Sequence, residues 1–213
     1  MDRFEIIDMQ TWPRAEVYRL YTEVWSTVTY SLTKKLSAAN LVPYLKERGI
    51  KFVPAILWLV CREINAIGNF KMAIRDGKLI RWDVVHPFFP NLNTDGNMTF
   101  HSLRYDTDFP TFYRSYLEEQ KENAHKTCLW ANEIPVNNFM VSVLPWLHFD
   151  ASSMQIKNAK GYYAPFIAIG KYNEEMELPV MLMGNHAVSD AWHVSNFFDG
   201  LQKGLDSPDQ WCP

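Results

Sequence analysis

One short stretch concentrates the side chains best suited to chemistry: Gly184-Asn185-His186-Ala187-Val188-Ser189-Asp190-Ala191-Trp192-His193. It follows an apolar run and precedes a helical pattern, the kind of strand-to-helix junction where α/β proteins place ligands and catalytic groups. There His186 is suited to general-base work, because a neutral imidazole accepts a proton near neutral pH. A packing role for the same histidine is the alternative. Asp190 is placed to cap the following helix or to hold the turn through a basic partner. His186, Asp190 and His193 also form a His-x3-Asp-x2-His set that could ligate a metal. The segment crosses a turn, however, and no thiolate pair joins it, so no metal site is expected.

Ser142 lies in Phe139-Met140-Val141-Ser142-Val143-Leu144-Pro145-Trp146, a strongly apolar strand. Its hydroxyl either satisfies a neighbouring carbonyl or donates to a developing oxyanion. The chain has no Gly-x-Ser-x-Gly elbow, which argues against a serine nucleophile. Neither GxxxxGK nor GxGxxG occurs, so no glycine loop cradles a phosphate.

The elements that must position these residues follow from periodicity. Val17, Leu20, Tyr21 and Val24 mark a helix over Ala15–Trp25. Val53, Ile56, Leu57, Val60, Ile64 and Ile67 mark a second, stopped by Gly68-Asn69, with Pro54 in its first turn. Lys71–Arg75 and Lys78–Trp82 flank Asp76-Gly77, the signature of a type I′ hairpin. Met98–Tyr105 reads as a strand, and Asp108 caps a helix carrying Phe109, Phe112, Tyr113, Tyr116 and Leu117. The charged end of that helix, Glu118–Lys126, reads as solvated. Extended segments are expected at Asn138–Val143, Trp146–Phe149, Tyr163–Lys171 and Leu178–Met183. A last helix carries Val194, Phe197, Phe198, Leu201 and Leu205 on one face. The mixed order predicts α/β or α+β, with one large sheet covered by helices.

Composition narrows the function classes. With 213 residues and no low-complexity break, one domain over residues 1–213 is expected. The 21 Lys and Arg against 24 Asp and Glu form no basic run, which argues against nucleic acid as a partner. The longest apolar run, Val53–Cys61, falls far short of the ~20 residues that cross a bilayer. Met1-Asp2-Arg3-Phe4-Glu5 lacks a signal pattern, and Cys61, Cys128 and Cys212 form no framework, so a cytoplasmic protein is expected. Aromatic residues make up 15% of the chain, enough for a well-filled core and an aromatic-lined site or interface.

Several segments, in order and over nearly the whole chain, resemble the trimeric chloramphenicol acetyltransferases. They are Trp12-Pro13-Arg14-Ala15-Glu16; Lys51-Phe52-Val53-Pro54-Ala55; Phe70-Lys71-Met72-Ala73-Ile74-Arg75-Asp76-Gly77; Trp82-Asp83-Val84-Val85-His86-Pro87; Ser142-Val143-Leu144-Pro145-Trp146; Tyr163-Ala164-Pro165; and Gly170-Lys171-Tyr172. The last piece, Asn185-His186-Ala187-Val188-Ser189-Asp190-Ala191, is similar to the family's His-His-x-x-x-Asp-Gly motif. The resemblance implies acetyl transfer from acetyl-CoA to a hydroxyl of chloramphenicol in a ternary complex without an acyl-enzyme. It makes His186 the base, Ser142 the oxyanion donor, and Asp190 with Arg14 a structural pair supported by Asn185. It places Tyr21, Phe100, Trp130 and Tyr163 around the acceptor, and Lys51, Trp146, Lys171 and Tyr172 near CoA. It further implies an α/β fold of the two-layer α+β sandwich kind, with a large mixed sheet covered by helices, in a homotrimer with active sites between subunits and the sheet extended across the interface.

The chain departs from the family pattern at three positions. Asn185 stands for the motif's first histidine, Ala191 for its glycine, and Ala168 for a threonine that holds a water near the oxyanion. Two other readings follow. One is a CoA-dependent acyltransferase with another hydroxyl acceptor. Dihydrolipoamide acyltransferases share the architecture, but their Asp-His-Arg-x-x-x-Asp-Gly motif is not matched at Asn185 and Ala187. The other is a catalytically impaired trimer that binds small molecules.

Overall fold

The structure is a computed structural model and describes residues 3–25, 28–156 and 161–213. In chain order it runs β1 (Phe4–Ile6), α1 (Ala15–Arg19) with a π-helical continuation (Leu20–Val24), β2 (Thr29–Ser37), α2 (Leu41–Glu47) and α3 (Phe52–Ala66). Next come β3 (Met72–Arg75), β4 (Lys78–Trp82), β5 (His86–Leu92), β6 (Met98–Ser102) and α4 (Phe109–Asn123). The C-terminal third holds β7 (Asn138–Val143), β8 (Phe166–Ile169), β9 (Glu177–Asn185) and α5 (Ala191–Asp206).

Six strands form the main sheet in the order β2-β9-β8-β7-β5-β6. The sheet is mixed: β7 pairs in parallel with both β5 and β8, while β9 is antiparallel to β8 and β2. One face packs on the helices. Phe139, Val141, Ile167, Ile169, Leu178, Val180 and Leu182 meet Ile56, Val60 and Ile64 of α3 and Phe197 and Leu201 of α5 in one core. The other face carries Phe166, Ala168, Met181 and Met183 beneath Phe149 and Met154. This is the large helix-covered sheet that the order of elements predicts, with the mixed pairing that the resemblance implies. A separate sheet, β1-β4-β3, turns at Asp76 (φ 50°) and Gly77 (φ 73°), the positive pair that a type I′ turn demands.

Several local expectations change. Trp146–Phe149 is not a strand: Leu147 N–H returns to Leu144 C=O (3.1 Å), closing a turn at Pro145-Trp146. β2 escapes a periodicity search because Lys34, Lys35, Ser31 and Thr33 dilute it, yet all nine of its residues pair with β9. β5 contains Pro87 and Pro90, which argue against a central strand. It is tolerated because its pairings with β7 and β6 overlap only at Phe88. The charged end of α4 is not wholly solvated. Glu119 is buried and meets His101 Nδ1 at 2.6 Å, an internal ion-pair partner that a charge count does not reveal.

Candidate active site

β9 delivers its C-terminal end into a tight turn. The Asn185 carbonyl accepts from Val188 N–H (3.2 Å) and Ser189 N–H (2.9 Å), and the Asn185 side chain accepts from Ala187 N–H (2.9 Å). His186 N–H is tied to the Val28 carbonyl at 2.9 Å. α5 then starts at Asp190, whose Oδ1 accepts from Trp192 N–H (3.1 Å) and meets His193 Nδ1 (2.9 Å), a capping box. His193 thus serves the helix end, and the other Asp190 oxygen goes to Arg14.

Arg14 grips this whole turn. Its guanidinium pairs with Asp190 Oδ2 (2.8 Å) and donates to the carbonyls of His186 (2.9 Å), Ser189 (3.1 Å) and Ala187 (3.3 Å). One planar fork thereby fixes the backbone on both sides of the imidazole, a task that a single ammonium cannot share. Burial raises the Asp190 carboxyl, but the hydrogen bonds from Arg14 and His193 outweigh it and hold the group below the usual carboxylate range. Arg14→Ala strands three carbonyls and one carboxylate. Asp190 is 38% exposed, so water softens the loss, and we expect about 2–3 kcal/mol of destabilisation in chemical unfolding. Arg14→Lys should recover only a minority of it.

The imidazole of His186 lies between two tyrosines. Tyr21 stacks on it with centroids 5.1 Å apart at 12°, and Tyr30 leans on it at 4.4 Å and 44°. Burial lowers the His186 pKa below its ordinary 6.5, the Arg14 charge lowers it further, and Asp190 opposes only in part. A neutral, oriented imidazole at neutral pH is what proton abstraction needs. Tyr21, expected around the acceptor, stacks on the imidazole in this structure. Tyr163 is instead buried beneath the turn with Met72, Leu79, Ala187 and Val188, its hydroxyl 2.9 Å from that of Tyr18. In this chain it packs under the turn rather than walling a pocket. Tyr30 and Ser189 escape sequence reasoning, although a glycine inside a strand, Gly184, signals a close approach there.

Ser142 lies elsewhere. On β7 it stands opposite Ala168 of β8, which in turn stands opposite Met181 of β9. His186 comes five positions after Met181, roughly 17 Å further along the strand direction and two strand spacings of about 4.8 Å across. β9 is antiparallel to β8, so its C-terminus points the opposite way along the strands from those of β7 and β8. One chain therefore holds the two groups far apart.

Past the C-terminal ends of β7 and β8 the chain carries Trp146, Lys171 and Tyr172. Lys171 N–H bonds the Leu147 carbonyl (2.8 Å) beside Trp146, which is 62% exposed. Tyr172 packs edge-on against Phe52 (5.6 Å), next to exposed Lys51 at the start of α3. Gly170 permits this approach: a Cβ there would come within 2.8 Å of the Leu147 carbonyl oxygen. Cationic and aromatic groups on one edge fit a phosphate-bearing thioester. Phe100 and Trp130 also come together, with ring centroids 5.1 Å apart. Trp130 and Phe88 line a cavity of about 460 Å³ with Asn132, Glu133, Ile134 and Asn138.

Comparison with solved structures places the fold among acetyltransferases. A chloramphenicol acetyltransferase structure superposes with a TM-score of 0.87 at 22% identity, over 95% of this chain and all of the other. The dihydrolipoamide acetyltransferase of Azotobacter vinelandii matches with a TM-score of 0.68 at 16% identity, over 98% and 94%. Sequence relatives include chloramphenicol acetyltransferase 2 of Escherichia coli, 34% identical over 96% of this chain and 98% of its own. The chloramphenicol acetyltransferase of Staphylococcus aureus is 32% identical over 98% of each. The family model described as chloramphenicol acetyltransferase matches residues 2–202, and the chain belongs to that family.

Proposed function

We propose that the protein transfers acetyl from acetyl-CoA to a hydroxyl of chloramphenicol, acting as a homotrimer with each site between two subunits. The observation that carries this reading is the neutral imidazole of His186, clamped through its backbone by Arg14 and stacked on Tyr21, in a chain of this family. His186 takes the proton of the acceptor hydroxyl as that oxygen attacks the thioester carbonyl. The Ser142 hydroxyl of the neighbouring subunit donates to the oxygen that becomes negative. Collapse expels the CoA thiolate, which takes up the proton, and neutral His186 is restored. Asp190, Arg14 and Asn185 hold the turn without touching the reacting atoms. Lys51 and Lys171 face phosphate, Trp146 and Tyr172 offer flat apolar surface to CoA, and Phe100 and Trp130 line the acceptor side.

Separation of Ser142 and His186 toward opposite ends of the strands supports a site shared between copies. Exposed rings close to the His186 turn, Trp25 against Tyr21 and Trp192 against His193, supply surface for a neighbour. β2, at the edge of the sheet, is open to extension across that interface. Residues 1–213 act as one domain, a view supported by the main core cluster, which draws residues from Leu36 to Cys212. Three unpaired thiols suit a reducing cytoplasm.

The test is release of free thiol from acetyl-CoA with chloramphenicol and a panel of other hydroxyl acceptors. Chloramphenicol should be acetylated fastest. Thiol release faster with another acceptor moves the function to that acceptor, and none with any acceptor overturns catalysis. Ala168 faces Ser142 across the β7–β8 pair. Ala168→Thr, which restores a hydroxyl beside the oxyanion donor, should raise the turnover number; an unchanged value removes that role for position 168.

A further inference from the structure

Tyr30 and Ser189 form a strut that begins on the imidazole of His186 and ends on backbone. The Tyr30 ring is 4.4 Å from the imidazole, on a different element from Tyr21. Its hydroxyl is 2.9 Å from Ser189 Oγ, and Ser189 Oγ donates to the Asn185 carbonyl at 3.1 Å. A carbonyl only accepts, so the single Ser189 proton goes to Asn185 and Tyr30 donates to Ser189. The order is fixed: Tyr30 to Ser189 to the residue before the histidine.

The backbone makes room for this chain of hydroxyls. Tyr30 stands opposite Gly184 in the β2–β9 pair. A Cβ at Gly184 would fall 2.5 Å from the Tyr30 hydroxyl and 3.1 Å from Ser189 Oγ. Gly184 has no positive φ to explain it; the space does. Ser189 is fully buried, and burial pushes the Tyr30 phenol up to about 12, so it stays a neutral donor.

Resting on the reading of His186 as base, we propose that Tyr30, locked by Ser189, is a positioning residue for that imidazole. Arg14 fixes the main chain around His186, whereas Tyr30 limits how its ring turns. Arg14, Asp190, Tyr21 and Tyr30 are the titratable groups around that ring. A base displaced by a fraction of an ångström from its proton loses rate without losing substrate binding.

Steady-state kinetics of acetyl transfer test this on the full-length protein. Tyr30→Phe and Ser189→Ala each remove one oxygen and should each lower kcat about tenfold, with both KM values within about twofold. The double variant should be no slower than either alone, because both cut the same strut. Tyr30→Leu should lower kcat further and shift the midpoint of the pH–rate profile upward, since water then reaches the imidazole. Rescue separates ring from hydroxyl: Tyr30→Phe should keep the low midpoint. Unchanged kcat in Tyr30→Phe and Ser189→Ala overturns the strut, as do additive losses. A change confined to the acceptor KM also overturns it and makes Tyr30 a pocket wall. Should Tyr30→Leu fail to fold, the two single-oxygen variants decide. His186→Ala run alongside separates the levels: its survival sinks the base, whereas its death with wild-type Tyr30→Phe sinks only the strut.

Discussion

His186→Ala should lower kcat by about 10²–10⁴-fold, the span that a positioned general base contributes, with KM for acetyl-CoA nearly unchanged. The imidazole sits on a turn held by Arg14 rather than in the core, so unfolding should stay cooperative and near wild type. The pH dependence has a definite sign. Burial, and then the Arg14 charge, push the His186 pKa below 6.5, and the working form is neutral. The midpoint of the acid limb of the rate should therefore lie below pH 6.5, the rate falling as the ring takes up a proton. Asp190→Asn removes a charge that favours the protonated ring, so it should move the midpoint lower still. A midpoint above 6.5 in the wild type, or retained turnover in His186→Ala, removes His186 as the base.

Much of this site is legible in the chain because its parts are local. Gly184 to His193 reads as a strand, a turn and a capped helix, and the structure builds that order with Asp190 as cap. Arg14 reaches Asp190 from 176 positions away; only resemblance paired them, since no periodicity links residues so distant. Tyr30 and Ser189 stayed hidden for a physical reason. β2 is an edge strand of polar alternation, and a tyrosine within it looks like any other until its opposite residue proves to be glycine. Glu119 shows the converse. It sits in a charged run that reads as solvated, and only the register of β6 brings His101 to it. Fold class follows from patterns within elements, whereas these pairings follow from registers between them.

Mixing two inactive variants should restore activity. Ser142→Ala removes the oxyanion donor and should cost about 10²–10³-fold in kcat, and His186→Ala costs at least as much. Antiparallel β9 carries His186 toward one end of the strands while parallel β7 and β8 carry Ser142 toward the other. If a working site takes the histidine of one subunit and the serine of the next, subunits denatured and refolded together reassemble some intact sites. In a ring drawn at random from equal amounts of the two variants, a site is intact when one subunit brings His186 and its neighbour brings Ser142. That holds for about one site in four, so recovery should approach a quarter of wild-type activity. A chain carrying both substitutions, refolded with either single variant, recovers nothing, because no interface then holds both groups. Mixed rings detected by native mass spectrometry with no return of activity would mean that Ser142 and His186 do not share a site, and the oxyanion role would pass to another donor.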